Sequence, residues 1–193
     1  IVLAGPTGSG KTQLSIELGR AMGGEIISAD SMQIYELMNI GTAKASIEQR
    51  IEVPHHLIDI RSVNDSFNVV DFFHEARQAI RNILQKGAIP IVVGGSGFYI
   101  RSLIYGPPKG PSSCPKLREK LEAQMQKIGP EALFEMLKVR DSAYAETITV
   151  HDKQKIIRGL EIIELTGKRV SDIEWKQSDD KLDFNFKCWF IYR

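Results

Sequence analysis

Eight residues constrain this chain more than any others: Gly5-Pro6-Thr7-Gly8-Ser9-Gly10-Lys11-Thr12. They follow a short apolar run, Ile1-Val2-Leu3-Ala4, and lead into Lys11 to Met22, where Leu14, Leu18 and Met22 form one stripe before Gly23-Gly24 stops the pattern. An apolar strand, a glycine-rich turn and a helix in that order make a P-loop. The glycines let the backbone curl so that successive N–H groups point inward, and the helix adds its positive end. Lys11 supplies a mobile charge for phosphate oxygens, and the Thr12 hydroxyl is placed to ligate Mg²⁺. Gly5, Pro6, Thr7, Gly8, Ser9, Gly10, Lys11 and Thr12 are therefore expected to bind a di- or pyrophosphate group.

The rest of the pattern alternates. Glu25–Ala29, His56–Ile60 and Ile89–Val93 read as strands. Asn68–Lys86 reads as a helix with Phe72, Ala76, Ala79, Ile80, Ile83 and Leu84 inward, and another runs from the glycines after Val93 to about Ile104. Such alternation implies right-handed crossovers and an α/β, P-loop NTPase-like parallel sheet with helices on both faces. Gly106-Pro107-Pro108-Lys109-Gly110-Pro111 is a breaker-rich linker. Beyond it, Pro115–Thr147 reads as short helices without a strand, Asp152–Thr166 as a helix capped by Asp152, and Phe184–Tyr192 as a strand. The expected organisation is an α/β core at 1–106, a helical insertion at 107–150, and a return to the core at 151–193.

Composition narrows the setting. A net charge of +1 rules out an overall basic field. Cys114 and Cys188 lie far apart with no metal-ligand spacing and read as free thiols of a reducing, cytoplasmic setting. No apolar run approaches the ~20 residues of a membrane span, and no signal peptide is visible. Ile1 opens directly on a strand and Arg193 follows one, so both ends read as cut.

ATP-hydrolysing P-loop proteins commonly carry an acid after a second apolar strand to hold Mg²⁺. Here Ile89–Val93 ends in Gly94-Gly95-Ser96-Gly97. The strand-end acids are Asp30 and Asp59, and Asp30 falls at the C-terminal edge of the sheet, where open α/β folds bind ligands. A carboxylate there can ligate metal, hold a ribose or act as a base; residue type and position leave these open.

Further blocks carry a resemblance. Ile27-Ser28-Ala29-Asp30-Ser31-Met32-Gln33-Ile34-Tyr35, Ile40-Gly41-Thr42-Ala43-Lys44, Pro54-His55-His56-Leu57-Ile58-Asp59, Val93 to Tyr99, Ile156 to Glu161 and Thr166-Gly167-Lys168 join the P-loop in order and spacing. Over nearly the whole chain these blocks resemble the tRNA dimethylallyltransferases (tRNA isopentenyltransferases, the IPP transferase family). The resemblance implies transfer of a dimethylallyl group from its diphosphate to N6 of an adenosine beside the anticodon. Pyrophosphate leaves, so the cradle grips a leaving group. It implies Lys11, Thr12 and Asp30 as catalytic, with Asp30 orienting N6 and accepting its proton, and Mg²⁺ on Thr12. Thr7 and Ser96 align with hydroxyl positions near the substrates. Ser31, Gln33, Tyr35, Lys44 and Arg158 are implied to contact the tRNA anticodon stem-loop, with a flipped target base and the helical insertion clamping the arm. Asp59 is the acid most readily taken for a second Mg²⁺ contact. A monomer is expected.

Three positions depart from the family pattern. Ser96 stands where Thr is usual, Lys155 where Arg is common, and Gly159 where Ala is usual. Family members also continue past Phe184–Tyr192 with helices bearing basic residues. The neighbouring readings are an adenylate isopentenyltransferase acting on free AMP, ADP or ATP, and a small-molecule P-loop kinase using ATP. The Ser28–Gln33 block and the insertion favour tRNA, and no arginine-rich lid supports a kinase.

Overall fold

The computed structural model describes residues 1–173 and 184–192, in two compact units. The first unit contains β1 (Val2–Ala4), α1 (Lys11–Met22), β2 (Gly24–Ser28), α2 (Ile47–Glu52), β3 (His55–His56), α3 (Val69–Gln85), β4 (Ile89–Gly94) and α4 (Gly97–Tyr105). The second contains α5 (Pro115–Ile128), α6 (Pro130–Arg140), α7 (Ser142–Ala145) and α8 (Lys153–Thr166); β5 (Cys188–Phe190) then joins the first.

The five strands are parallel, in the order β3-β2-β4-β1-β5. Side chains alternate across a strand, so each of β1, β2 and β4 feeds both faces of the sheet. Val2, Ile27 and Val92 face one side, where they meet Phe72, Ala76, Ile80 and Ile83 of α3 and Ile100 and Leu103 of α4. Leu3, Ile26, Ile91 and Val93 face the other, against Ile16 of α1 and Val53. Asn68 starts α3 through a capping box: its side chain accepts from Val70 and Asp71 N–H while Asp71 accepts from Asn68 N–H.

The expected phase of α1 is corrected. Ser15, Ile16 and Gly19 are its buried residues, whereas Leu14 and Met22 are exposed. Gly19 is the reason, because a Cβ there would stand 2.6 Å from Val53 Cγ1, so the bare backbone is what allows that face to dock. Leu84 likewise lies on the outer side of α3. The strand expected at His56–Ile60 is only His55–His56, since Leu57 and Asp59 adopt positive φ and break the pleat.

In the second unit Leu121, Met125, Leu133, Leu137, Ile156, Ile157 and Leu160 form one core. α8 thus packs with α5 and α6, and the expected return to the α/β core at residue 151 is corrected: residues 108–173 belong together. Asp152 makes no side-chain cap of α8; its carboxylate accepts from Thr149 N–H and pairs with Lys155. Gly159 has a packing role, because a Cβ would press to 2.8 Å from Tyr144 Cε1. Helix propensity alone, which disfavours glycine within a helix, gives no sign of that contact.

Phe72 is fully buried and stacks on Tyr99 with ring centroids 4.3 Å apart. Phe72→Ala is expected to destabilise the first unit by about 3–5 kcal/mol, read as a lower midpoint in urea unfolding.

Candidate functional site

The cradle is built from backbone first. Gly8 and Gly10 have φ of 81° and 89°, the left-handed region that glycine enters without strain. Gly10 is the N-cap of α1 and offers no side-chain bond, so the first-turn amides are left to a ligand. Lys11 folds over this turn and donates from Nζ to Pro6 O at 2.5 Å and Ser9 Oγ at 3.4 Å. Burial lowers the Lys11 pKa, and the charge of Asp30 works against that shift. Thr12 is exposed and borders a cavity of about 30 Å³ shared with Ser15, Ser28, Gln33 and His55, room for one water. Burial lowers the His55 pKa, and its Nδ1 lies 2.6 Å from Val53 O.

Because β4 lies between β1 and β2, the turns after all three strands meet at one edge of the sheet. Ala29 N donates to Val93 O at 2.8 Å, Ser96 N to Ala29 O at 3.2 Å, and Ser31 N to Ser96 Oγ at 3.1 Å. The Ser96 hydroxyl thereby holds the loop that carries Asp30. Asp30 uses only Oδ1 within its turn, accepting from Met32 N at 2.9 Å and Gln33 N at 3.4 Å. Its Oδ2 has no hydrogen bond among the described residues.

The segment after Asp30 is held from inside. The Gln33 amide donates to Thr42 O and Ala43 O and accepts from the Ser28 hydroxyl. Lys44 has a side chain only 4% exposed, and its ammonium is committed to Tyr35 O, Asn39 Oδ1 and Asp59 Oδ1. Arg50 Nη1 takes the other Asp59 oxygen at 2.7 Å. Asp59 is therefore occupied by two cations, which answers the idea that it offers metal a free carboxylate. Tyr35 packs partly against the core. Gln33, Tyr35 and Lys44 thus shape this loop, while Ser31 stays exposed beside Asp30. Arg50 has no signature in sequence, and Ser28 and His55 fall in the resembling blocks without a role to mark them, since only folding brings the three to Asp59, Gln33 and the cavity beside Thr12.

In the second unit Arg158 donates from Nη1 to Glu161 at 2.5 Å and from Nη2 to Pro111 O at 2.6 Å, so both terminal nitrogens are engaged within the unit. Among the described residues no group of three or more His, Cys, Asp and Glu is arranged to hold a metal, and no helix is long and apolar enough to cross a membrane.

A family model described as IPP transferase matches residues 33–193. The chain belongs to that family. A tRNA dimethylallyltransferase of Protochlamydia amoebophila is 55% identical over 193 residues, all of this chain and 56% of the relative. That of Chlamydia pneumoniae is 59% identical over 192 residues, 99% of this chain and 56% of the relative. Among solved structures, a eukaryotic dimethylallyltransferase acting on tRNA shares 32% identity at a TM-score of 0.74, covering 98% of this chain and 46% of that one. The tRNA isopentenylpyrophosphate transferase of Bacillus halodurans shares 41% identity at a TM-score of 0.55, covering 86% of this chain and 55% of that one. The chain spans about half the length of these relatives. In this IPP transferase chain the P-loop and Asp30 precede the matched residues, but the curated relatives align across them.

Burial raises the Asp59 pKa, but Lys44 and Arg50 outweigh it and hold the carboxyl below its usual value. A depressed carboxyl contributes stability that is complete above its unfolded pKa and is lost as pH falls through the folded one. Hydrogen-exchange protection of residues 33–61 is therefore expected to fall below about pH 4. Asp59→Asn leaves the buried Lys44 ammonium short of its counter-charge and is expected to cost about 2–4 kcal/mol and to abolish most of that acid dependence.

Proposed function

We propose that this chain carries the donor cradle and base of a tRNA dimethylallyltransferase. Dimethylallyl diphosphate is the donor and N6 of an adenosine beside the tRNA anticodon is the acceptor. The observation that carries the reading is the free Oδ2 of Asp30 on the same sheet edge as the P-loop, with glycines where a hydrolytic acid would follow β4.

The donor's pyrophosphate sits against the open amides at the start of α1, with Lys11 swinging from Pro6 O to its oxygens. Those donors stabilise charge as it builds on the departing group. The Thr12 hydroxyl suits Mg²⁺, which keeps several waters and binds through few protein ligands plus substrate phosphate oxygens. When bound there, the ion neutralises pyrophosphate charge. On the acceptor side, Asp30 Oδ1 is anchored in its turn while Oδ2 accepts a hydrogen bond from N6 and then its proton. The carbon–oxygen bond to pyrophosphate breaks as the carbon–nitrogen bond forms. An exocyclic amine is a weak nucleophile, so the rigidity that Gln33 and Ser96 give the Asp30 turn matters as much as basicity. The reaction uses no ATP, and a cytoplasmic, monomeric enzyme is the form proposed.

Lys11→Ala is expected to abolish binding of dimethylallyl diphosphate in calorimetric titration while leaving the thermal midpoint in place. In the full-length protein, Asp30→Asn is expected to lower the single-turnover rate by roughly 10²–10⁴-fold with donor affinity little changed. Pyrophosphate release should match prenylated tRNA one to one. Equal or better use of AMP as acceptor would instead support the free-nucleotide enzyme, and a strict ATP requirement the kinase.

A further inference from the structure

Glu161 is the most deeply buried acid described, at 0% exposure. A carboxylate removed from water must have its lone pairs satisfied by donors. Glu161 accepts from Cys114 N at 2.7 Å, from Arg158 Nη1 at 2.5 Å, and from Arg118 Nε at 3.2 Å and 3.1 Å on its two oxygens. Two guanidiniums share one negative charge, so the cluster keeps a surplus positive charge at the surface.

The two arginines are not equivalent. Arg158 spends both terminal nitrogens, on Glu161 and on Pro111 O, and fastens the linker to α8. Arg118 touches the carboxylate through Nε alone. Its Nη1 and Nη2 have no hydrogen-bond partner among the described residues, and its side chain is 38% exposed. This end-on edge of the guanidinium is the fork that matches two oxygens of a phosphate. The Nε anchor already restricts the side chain, so less ordering opposes binding. Arg118 also sits in the first turn of α5, whose N-cap Cys114 makes no side-chain bond, and the positive helix end adds to the field.

We propose that Arg118 binds a phosphodiester of RNA and that Glu161 is the positioning residue that aims it, with Arg158 serving as the internal staple. This rests on the tRNA reading above. The contact is to backbone phosphate, so it orients the RNA without reading its sequence.

The test is fluorescence titration of the full-length protein with an anticodon stem-loop RNA over a series of salt concentrations, alongside thermal melting. Arg118→Ala, measured below its own melting midpoint, which falls because buried Glu161 loses a partner, is expected to weaken binding at low salt by about tenfold and to flatten the log–log salt slope by about one. Arg118→Lys should restore the slope but only part of the affinity, since an ammonium lacks the fork. Glu161→Gln, measured below its own melting midpoint, should weaken binding even though it removes a negative charge near the RNA. Tighter or equal binding by Glu161→Gln would overturn the positioning role. Arg118→Ala binding as wild type does, with the same slope, would overturn the phosphate contact while leaving the tRNA reading intact. Failure of the wild-type protein to bind the stem-loop at any salt would overturn the tRNA reading itself, and this contact with it.

Discussion

At Gly94 the last residue of β4 runs so close to Ala29 that a Cβ would overlap the Ala29 carbonyl oxygen. That close approach is the constraint on which the site depends. It lets Ala29 N reach Val93 O and Ser96 N reach Ala29 O, which locks the turns after β2 and β4 together. Because β1 pairs with the other side of β4, the P-loop turn is carried to the same edge. The Ser96 hydroxyl then ties the Ser31 amide, and Asp30 is left with one oxygen anchored and one free. Strand order, a missing side chain and a few backbone bonds together place an acid on the same sheet edge as the glycine-rich turn before α1.

Charge is managed on the same scheme in three other places. Glu25 is 8% exposed and is bound by His56 and Lys86, toward the edge of the sheet opposite the cradle. Asp59 holds Lys44 and Arg50 beneath the loop after Asp30. Glu161 holds Arg118 and Arg158 in the second unit. In each a partly or wholly buried carboxylate is held by two side chains, two cations at Asp59 and at Glu161, and Lys86 with the His56 ring at Glu25, and desolvation makes the partners indispensable to it. The surplus of 12 Lys and Arg over 9 Asp and Glu between residues 107 and 170 therefore overstates what is free for a nucleic acid. Several of those cations are staples, and a count cannot tell a staple from a contact.

The limits of sequence reading follow from the same physics. The helical span of α1 is legible to the residue, because glycines bracket it at both ends. Its buried face is not, because Gly19 carries no hydrophobic signal yet is where Val53 closes in. Lys44 reads as a surface cation ready for phosphate, but its ammonium is sealed by Tyr35, Asn39 and Asp59, residues 5 to 15 positions away. α8 reads as a strong helix, but which core it completes depends on the complementary shapes of Leu121, Leu133 and Leu137.

What the sequence by itself determined is whatever depends on near neighbours along the chain. It specified the P-loop, whose glycines, lysine and threonine act within eight residues, the alternation of strand and helix, and the breaker-rich linker after Tyr105. Only the tertiary structure decided which charges are spent and which remain. Asp30 keeps a free oxygen, Asp59 does not; Arg118 keeps its terminal nitrogens, Arg158 does not. The reason is that a charged side chain is available to a ligand only if folding has brought it no closer partner, and those partners come from elements far apart in sequence.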